Sequence, residues 1–382
     1  IMKRGFDKSE FQMRVRRAQV EMDYHNLDAI LLTTEPEIRY FTGFLTQFLE
    51  SPCRPWFLVV PATRDPIAVI PSIGEVLMAN TWIDDIRTWR APNLTDDGVS
   101  LLAETLRGIG SNIGIPSGIQ SQLRMPLTDF ARLNNELKCP IGSDSGIIQK
   151  LRLIKSDAEI SKIKTACDIA GRAFARVPEI AVSGTPLEQV FRNFQRLCLD
   201  EGADRVPYLA GAAAPNGYQD VISPADSRPL SPGDVLMLDT GLVFDGYFCD
   251  YDRNFAVGSV PAEVDAAHDK LTQATQAAFE VARPGNTAAD LFYAMDKMVS
   301  GGASGSEAGR YGHGLGMNLT EWPSLIPTDH TLLVSGMVLT LEPGIEVFPG
   351  TMLVAEENIV IREDGAEWLS APVAVEIPRL EV

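Results

Sequence analysis

The chain has 382 residues, more than one ordinary hydrophobic core, so about two domains are expected. Its 45% apolar and 22% charged residues are those of a globular protein. A net charge of -18 disfavours nucleic acid and anionic membrane surfaces as partners, since both need basic patches, and suits a protein that keeps carboxylates for cations.

The N-terminal stretch IMKRGFDKSEF has no apolar core of a leader, so no secretory signal is expected. No run of about 18 apolar residues predicts a membrane span. Cys53, Cys139, Cys167, Cys198 and Cys249 are odd in number, scattered and without a CxxC pair. That pattern predicts no disulfide framework and a reducing, cytoplasmic setting.

In chain order, residues 8 to 25 predict an amphipathic helix with Phe11, Val15, Ala18, Val20 and Met22 on or near one face. AILLTT predicts an apolar strand and is followed by YFTGF at Tyr40 to Phe44. Further strands are expected at 56 to 61 and 67 to 71, a helix near 97 to 108, and a short strand in NIGIP. This alternation predicts an α/β domain over residues 1–152. SPCRPWF at 51 to 57 sets Arg54 and Trp56 in that domain, as a packed Trp and surface Arg or as substrate contacts. The second domain, 153–382, begins where Ser156 as N-cap and Glu159 three residues on predict a long helix with a capping box. Helices are expected at 187 to 201 and 261 to 282, connectors at 229 to 234 and 284 to 290, and mainly strands after 330.

Residues 234 to 257, DVLMLDTGLVFDGYFCDYDRNFAV, carry the strongest local signal. Asp245-Gly246 between apolar runs predicts a type I′ hairpin, because both central residues need positive φ. A two-residue loop pairs Phe244 with Tyr247, Gly241 with Asp250, and Asp239 with Asp252. Asp239, Asp250 and Asp252 then share one face, where like charges repel, and a pair of divalent cations answers that repulsion.

Three further candidates stand beside the hairpin. His313 lies between Gly312 and Gly314, which let backbone and ligands approach closely. Glu342 and Glu356 lie in two segments that turn near Pro349-Gly350. A three-residue loop opposes Glu342 to Glu356, whereas a two-residue loop turns Glu357 inward, and spacing alone leaves both open. Carboxylates with one imidazole form a hard, oxygen-rich set suited to Mn²⁺, Co²⁺, Fe²⁺ or Zn²⁺ in a two-metal site. Two such ions can lower the pKa of a water and clamp a tetrahedral intermediate.

GDVLMLDTGLVFDGYFCDYDR, GHGLGMNLTEWP, LEPGI and the AEEN segment resemble the pita-bread metallohydrolases, the family of aminopeptidase P, prolidase and methionine aminopeptidase. YFTGF and LRLIKSDAEI resemble the two-domain creatinase/prolidase branch, so the likeness covers nearly the whole chain. The resemblance implies an α/β (α+β) fold: a small N-terminal creatinase-like domain, then a pita-bread catalytic domain. It implies two divalent metal ions, manganese first. Asp239 would hold one ion, His313 and Glu342 the other, with Asp250 and Glu356 bridging both. It also implies Glu342 as general base, a homodimer, and hydrolysis of an amide in a peptide or small substrate.

Three positions depart from the family pattern. Ile222 stands where peptidases of this branch carry a His upstream of the first ligand Asp, and Thr320 stands where GHGLGMNLTE would carry another. Asp252 replaces a customary Thr. Losing one oxyanion donor costs about 10²–10³ in rate. The departures therefore keep a second expectation alive: a creatinase-, ectoine-hydrolase- or dimethylsulfoniopropionate-lyase-like relative acting on a small osmolyte or guanidino compound. On either reading Asp252, Thr320 and Ile222 are the candidate substrate-binding positions. Asp252 also admits the plainer reading of a solvated strand acid or the partner of an Arg. Arg253 reads as a brace for a carboxylate, and Glu321 equally as a surface acid or a functional one.

Overall fold

The computed structural model describes residues 4–51, 54–302 and 309–382. Its contacts divide the chain into two compact units, Ile1–Arg152 and Leu153–Val382. Cys53 lies outside the described residues, and the other four cysteines are free. Among the described residues no helix is long and apolar enough to cross a membrane.

The first unit is a six-stranded mixed sheet with helices. Its strands are β1 (Ala29–Leu32), β2 (Phe57–Pro61), β3 (Ile67–Pro71), β4 (Asp85–Trp89), β5 (Ile113–Ile115) and β6 (Gly142–Ser143), in the order β4-β3-β2-β1-β5-β6. The helices are α1 (Lys8–Tyr24), α2 (Glu35–Thr42), α3 (Glu75–Ala79), α4 (Val99–Arg107), α5 (Leu127–Glu136) and α6 (Ile147–Leu153). Helix α1 buries Phe11, Val15, Ala18 and Met22, but Val20 is exposed, since it falls off the helical repeat of the other four. YFTGF forms the end of α2, closed by Gly43 in the left-handed region at φ 76°. Trp56 is a packed core residue here.

The second unit opens with α7 (Asp157–Ala175), capped by Ser156 and Glu159 in a reciprocal capping box. It continues through α8 (Leu187–Asp200), β7 (Arg205–Pro215), β8 (Asp234–Phe244), β9 (Tyr247–Phe248), β10 (Tyr251–Val257), α9 (Ala262–Val281) and α10 (Ala288–Val299). The chain then runs through β11 (His313–Gly314), β12 (Glu321–Ser324), β13 (Val338–Leu341), β14 (Gly344–Phe348), β15 (Thr351–Val354), β16 (Glu357–Arg362), β17 (Gly365–Trp368) and β18 (Arg379–Leu380). One sheet is ordered β18-β10-β8-β7 with β9 on β8, and a second β12-β11-β13-β16-β17. Strands β14 and β15 form a separate ribbon. Helix α10 starts inside the stretch read as a connector: Thr287 and Asp290 form a capping box there, and Leu291, Phe292 and Met295 are buried.

The hairpin turns at Asp245 (φ 48°) and Gly246 (φ 84°), both in the positive-φ region that a type I′ turn requires. Phe244 pairs with Tyr247 and Asp239 with Asp252, the register that a two-residue loop gives. Helix α7 fastens this hairpin. Lys162 forms a buried ion pair with Asp245, Tyr247 Oη donates to Glu159 Oε1 at 3.0 Å, and Tyr251 Oη donates to the Cys167 carbonyl at 2.6 Å.

The second strand pair combines both loop alternatives. Pro349 and Gly350 form a two-residue loop, since Phe348 pairs with Thr351. A bulge between Glu346 and Phe348 then shifts the register, so that Glu346 pairs with Met352 and Gly344 with Val354. The shift persists to Leu341, which pairs with Glu357, and the Ala355 N–H donates to the Pro343 carbonyl at 3.1 Å between the two. Glu342 therefore stands across from Glu356.

Candidate metal centre

Asp239 lies within β8, Asp250 just before β10, and His313 on the two-residue strand β11. Glu342 follows β13, and Glu356 precedes β16. Asp250, His313 and Glu356 each offer a ligand atom within 4.8 Å of the others, and all three are buried. His313 Nε2 is 3.3 Å from Asp250 Oδ2 and 3.8 Å from Glu356 Oε1.

The His313 ring is fixed from behind. Nδ1 lies 2.7 Å from the Gly314 carbonyl, which only accepts, so Nδ1 carries the proton and Nε2 presents a lone pair. Burial, then the charge of Arg310, pushes His313 down to about 4, so the imidazole is neutral near pH 7. The His313 N–H donates to Thr340 Oγ1 at 3.1 Å. Gly312 is obligatory in this approach: its φ is 132°, and a Cβ there would sit 2.1 Å from the Thr340 carbonyl oxygen.

Asp239 faces Asp252 across the hairpin, and its Oδ2 accepts from Tyr208 Oη at 3.2 Å. Burial raises the carboxyls of Asp239, Asp250 and Glu356 well above their usual range, and neighbouring carboxylates raise them further. Burial also raises half-buried Glu342, against the pull of His313 and Arg310. Among the described residues Asp239 Oδ1, Asp250 Oδ1 and Glu356 Oε1 are buried without a hydrogen-bond partner. Uncompensated buried carboxylates cost several kcal/mol each, and a neutral imidazole lone pair aimed at two of them adds repulsion. Protons or divalent cations relieve this, and the N/O donor set fits a hard-to-borderline divalent ion.

The remaining sequence candidates are placed differently. Glu357 points away, to Arg253 Nη2 at 3.2 Å, the Val373 N–H at 2.9 Å, and Ser370. Asp252 is buried rather than solvated, and its Oδ1 accepts from the Glu356 N–H at 3.2 Å. Glu321 is not a surface acid: it is buried against Lys155 Nζ at 3.0 Å. Thr320 Oγ1 is met by Arg310 Nη2 at 3.5 Å. Ile222 is exposed on the loop between β7 and β8, its N–H on Asp220 Oδ1, and does not enter the buried cluster.

Three contributors were not singled out from sequence. Tyr208 comes from β7, a strand with no clear alternation. Arg310 is an exposed cation whose charge acts on Asp250, Glu342 and His313. Asn358, two residues beyond Glu356 and so on the same side of a strand, accepts from the Asp250 N–H at 3.0 Å and donates to the Asp250 carbonyl. That spacing was the one available signal for it.

Comparison with known proteins agrees with this architecture. The model of "Metallopeptidase family M24" matches residues 161–363, more than half of the chain, and that of the "Creatinase/Prolidase N-terminal domain" matches 14–154. The probable dipeptidase PepE of Mycobacterium tuberculosis is 27% identical over 95% of both chains. The Xaa-Pro dipeptidase of Pyrococcus furiosus is 29% identical over 91% of this chain and 95% of its own. The crystal structure of dipeptidase PepE from Mycobacterium ulcerans superposes with a TM-score of 0.85 at 26% identity, over 99% of this chain and 100% of that one. With a creatinase-like first unit and a pita-bread second unit, the chain belongs to metallopeptidase family M24 and is a metal-dependent hydrolase.

Proposed function

We propose that this chain is a dinuclear peptidase of the Xaa-Pro dipeptidase type, cleaving the amide of a small peptide. The observation that carries the reading is the convergence of His313 Nε2 with Asp250 and Glu356, beside buried carboxylate oxygens that have no donor. The dipeptidase names of its relatives supply the substrate class.

Asp239 would hold one ion, His313 and Glu342 the other, and Asp250 and Glu356 both. The oxygen-rich set favours manganese, with cobalt, zinc or iron as substitutes. Bound divalent ions supply Lewis acidity and lower the pKa of a water nucleophile. Glu342, half-buried across from Glu356, would take the proton from such a water as general base. The Gly314 carbonyl keeps His313 in the tautomer that presents Nε2. Tyr208 orients Asp239. Ile222 and Thr320 supply no imidazole, so the positive charge beside Thr320 comes from Arg310. We also read the chain as a cytoplasmic homodimer, the first from its free cysteines and the second from its likeness to the two-domain branch.

The test is a substrate screen of the manganese-reconstituted protein. Xaa-Pro dipeptides are expected to be cleaved, and activity is expected to disappear with chelator and return with Mn²⁺. Turnover confined to guanidino or other non-peptide amides would replace this reading with the creatinase-like one.

A further inference from the structure

Strand β10 meets the segment 354–358 without a backbone ladder. Its ladder partners are β8 on one side and, through Ala256 and Val257 alone, β18 on the other. Yet the two segments are in antiparallel register. Side chains form the rungs at every second residue from Asp250, just before β10, to Asn254 within it. At the first, the Asn358 amide takes both backbone groups of Asp250, accepting from its N–H at 3.0 Å and donating to its carbonyl. At the second, Asp252 Oδ1 accepts from the Glu356 N–H at 3.2 Å. At the third, Asn254 Nδ2 donates to the Val354 carbonyl at 2.6 Å. Tyr218 Oη closes that rung, donating to Asn254 Oδ1 at 2.9 Å and accepting from the Val354 N–H at 2.8 Å.

The arrangement is reciprocal at the metal centre. The residue two beyond Asp250 holds the backbone of Glu356, and the residue two beyond Glu356 holds the backbone of Asp250. Arg253 Nη1 adds to the same join, reaching the Asp252 carbonyl at 2.6 Å and the Glu356 carbonyl at 3.3 Å. A direct ladder in this register would bring facing Cα atoms to about 4.5–5.5 Å and set Asp252 straight against Glu356, which like charge disfavours. A rung made through a side chain is longer and turns the Asp252 carboxylate into an acceptor for an N–H.

We propose that Asp252 and Asn358 are positioning residues that fix the spacing of Asp250 and Glu356 through this side-chain seam, and thereby set the affinity for divalent metal. The inference rests on the reading of Asp250 and Glu356 as metal ligands. It also gives Asp252 a role that needs its oxygen but not its charge.

The test is calorimetric titration of Mn²⁺ into the metal-stripped full chain, as wild type, Asp252→Asn, Asp252→Ala, Asn358→Ala and Asn254→Ala, with folding checked by circular dichroism. Asp252→Ala and Asn358→Ala are expected to bind about 10–100-fold more weakly, whereas Asp252→Asn stays within about threefold of wild type. Asn254→Ala, whose rung holds Val354 rather than a ligand, is expected to lower the melting temperature but keep the affinity. The seam is overturned if Asp252→Asn is as weak as Asp252→Ala, if both alanine variants bind like wild type, or if Asn254→Ala weakens binding equally. Should Asn358→Ala not fold, the Asp252 pair decides. Failure of the wild type itself to take up Mn²⁺ would instead remove the ligand reading on which the seam depends.

Discussion

At the scale of single residues, the centre is an electrostatic problem that the polypeptide alone does not solve. Asp239, Asp250 and Glu356 have carboxyls raised first by burial and then by neighbouring carboxylates, Glu342 acting on all three. A raised folded pKa means that the native state holds protons which the unfolded chain has already released. Through that window the metal-free protein loses stability as pH rises. Divalent ions replace those protons, so their stabilisation grows with pH. The rise in melting temperature caused by saturating Mn²⁺ is expected to be larger at about pH 8 than at about pH 5, and scanning calorimetry at the two values checks it. An equal rise at both would mean that the carboxylates are not sharing a bound ion. Neither the tautomer of His313 nor the role of Asp252 was legible in the sequence. The tautomer is set by how the ring turns onto the carbonyl of the next residue, Gly314, and the role of Asp252 by the Glu356 N–H more than a hundred residues away.

Local elements were legible where the code is local. The Asp245-Gly246 turn fixed its own register, and Ser156 with Glu159 placed the start of α7. The turn at Pro349-Gly350 was ambiguous because a bulge, not the loop, decides which glutamate faces inward. Helix α10 was hidden by the Pro-Gly-Asn that precedes it, and β7 by its run of alanines. The two kinds of local feature separate experimentally. Ser156→Ala removes a cap and is expected to cost about 1 kcal/mol in urea denaturation while leaving Mn²⁺ affinity unchanged. Gly312→Ala drives a Cβ towards the Thr340 carbonyl and pushes His313 off its carboxylate partners, so it is expected to weaken Mn²⁺ binding at least about tenfold. Calorimetry on the two variants gives the comparison, and unchanged affinity in Gly312→Ala would show that this glycine does not place the histidine.

For the whole molecule, the segments that carry the five proposed ligands come from two different sheets of the second unit, Asp239 and Asp250 from one, His313, Glu342 and Glu356 from the other. The resemblance stated which five residues belong together, while spacing carried only the hairpin half. The join between the sheets was invisible from sequence, because Asn358 and Asp252 act on backbone across more than a hundred residues. On the function proposed above, these five side chains hold the ions that perform hydrolysis. The most direct test of this is elemental analysis of the reconstituted, desalted protein beside its hydrolytic rate. About two equivalents of divalent metal are expected in the wild type, with metal and turnover lost together in Asp250→Ala and in Glu356→Ala, since a two-metal site shares its bridging ligands. Less than one equivalent in the wild type, or wild-type turnover in either variant, would contradict the account.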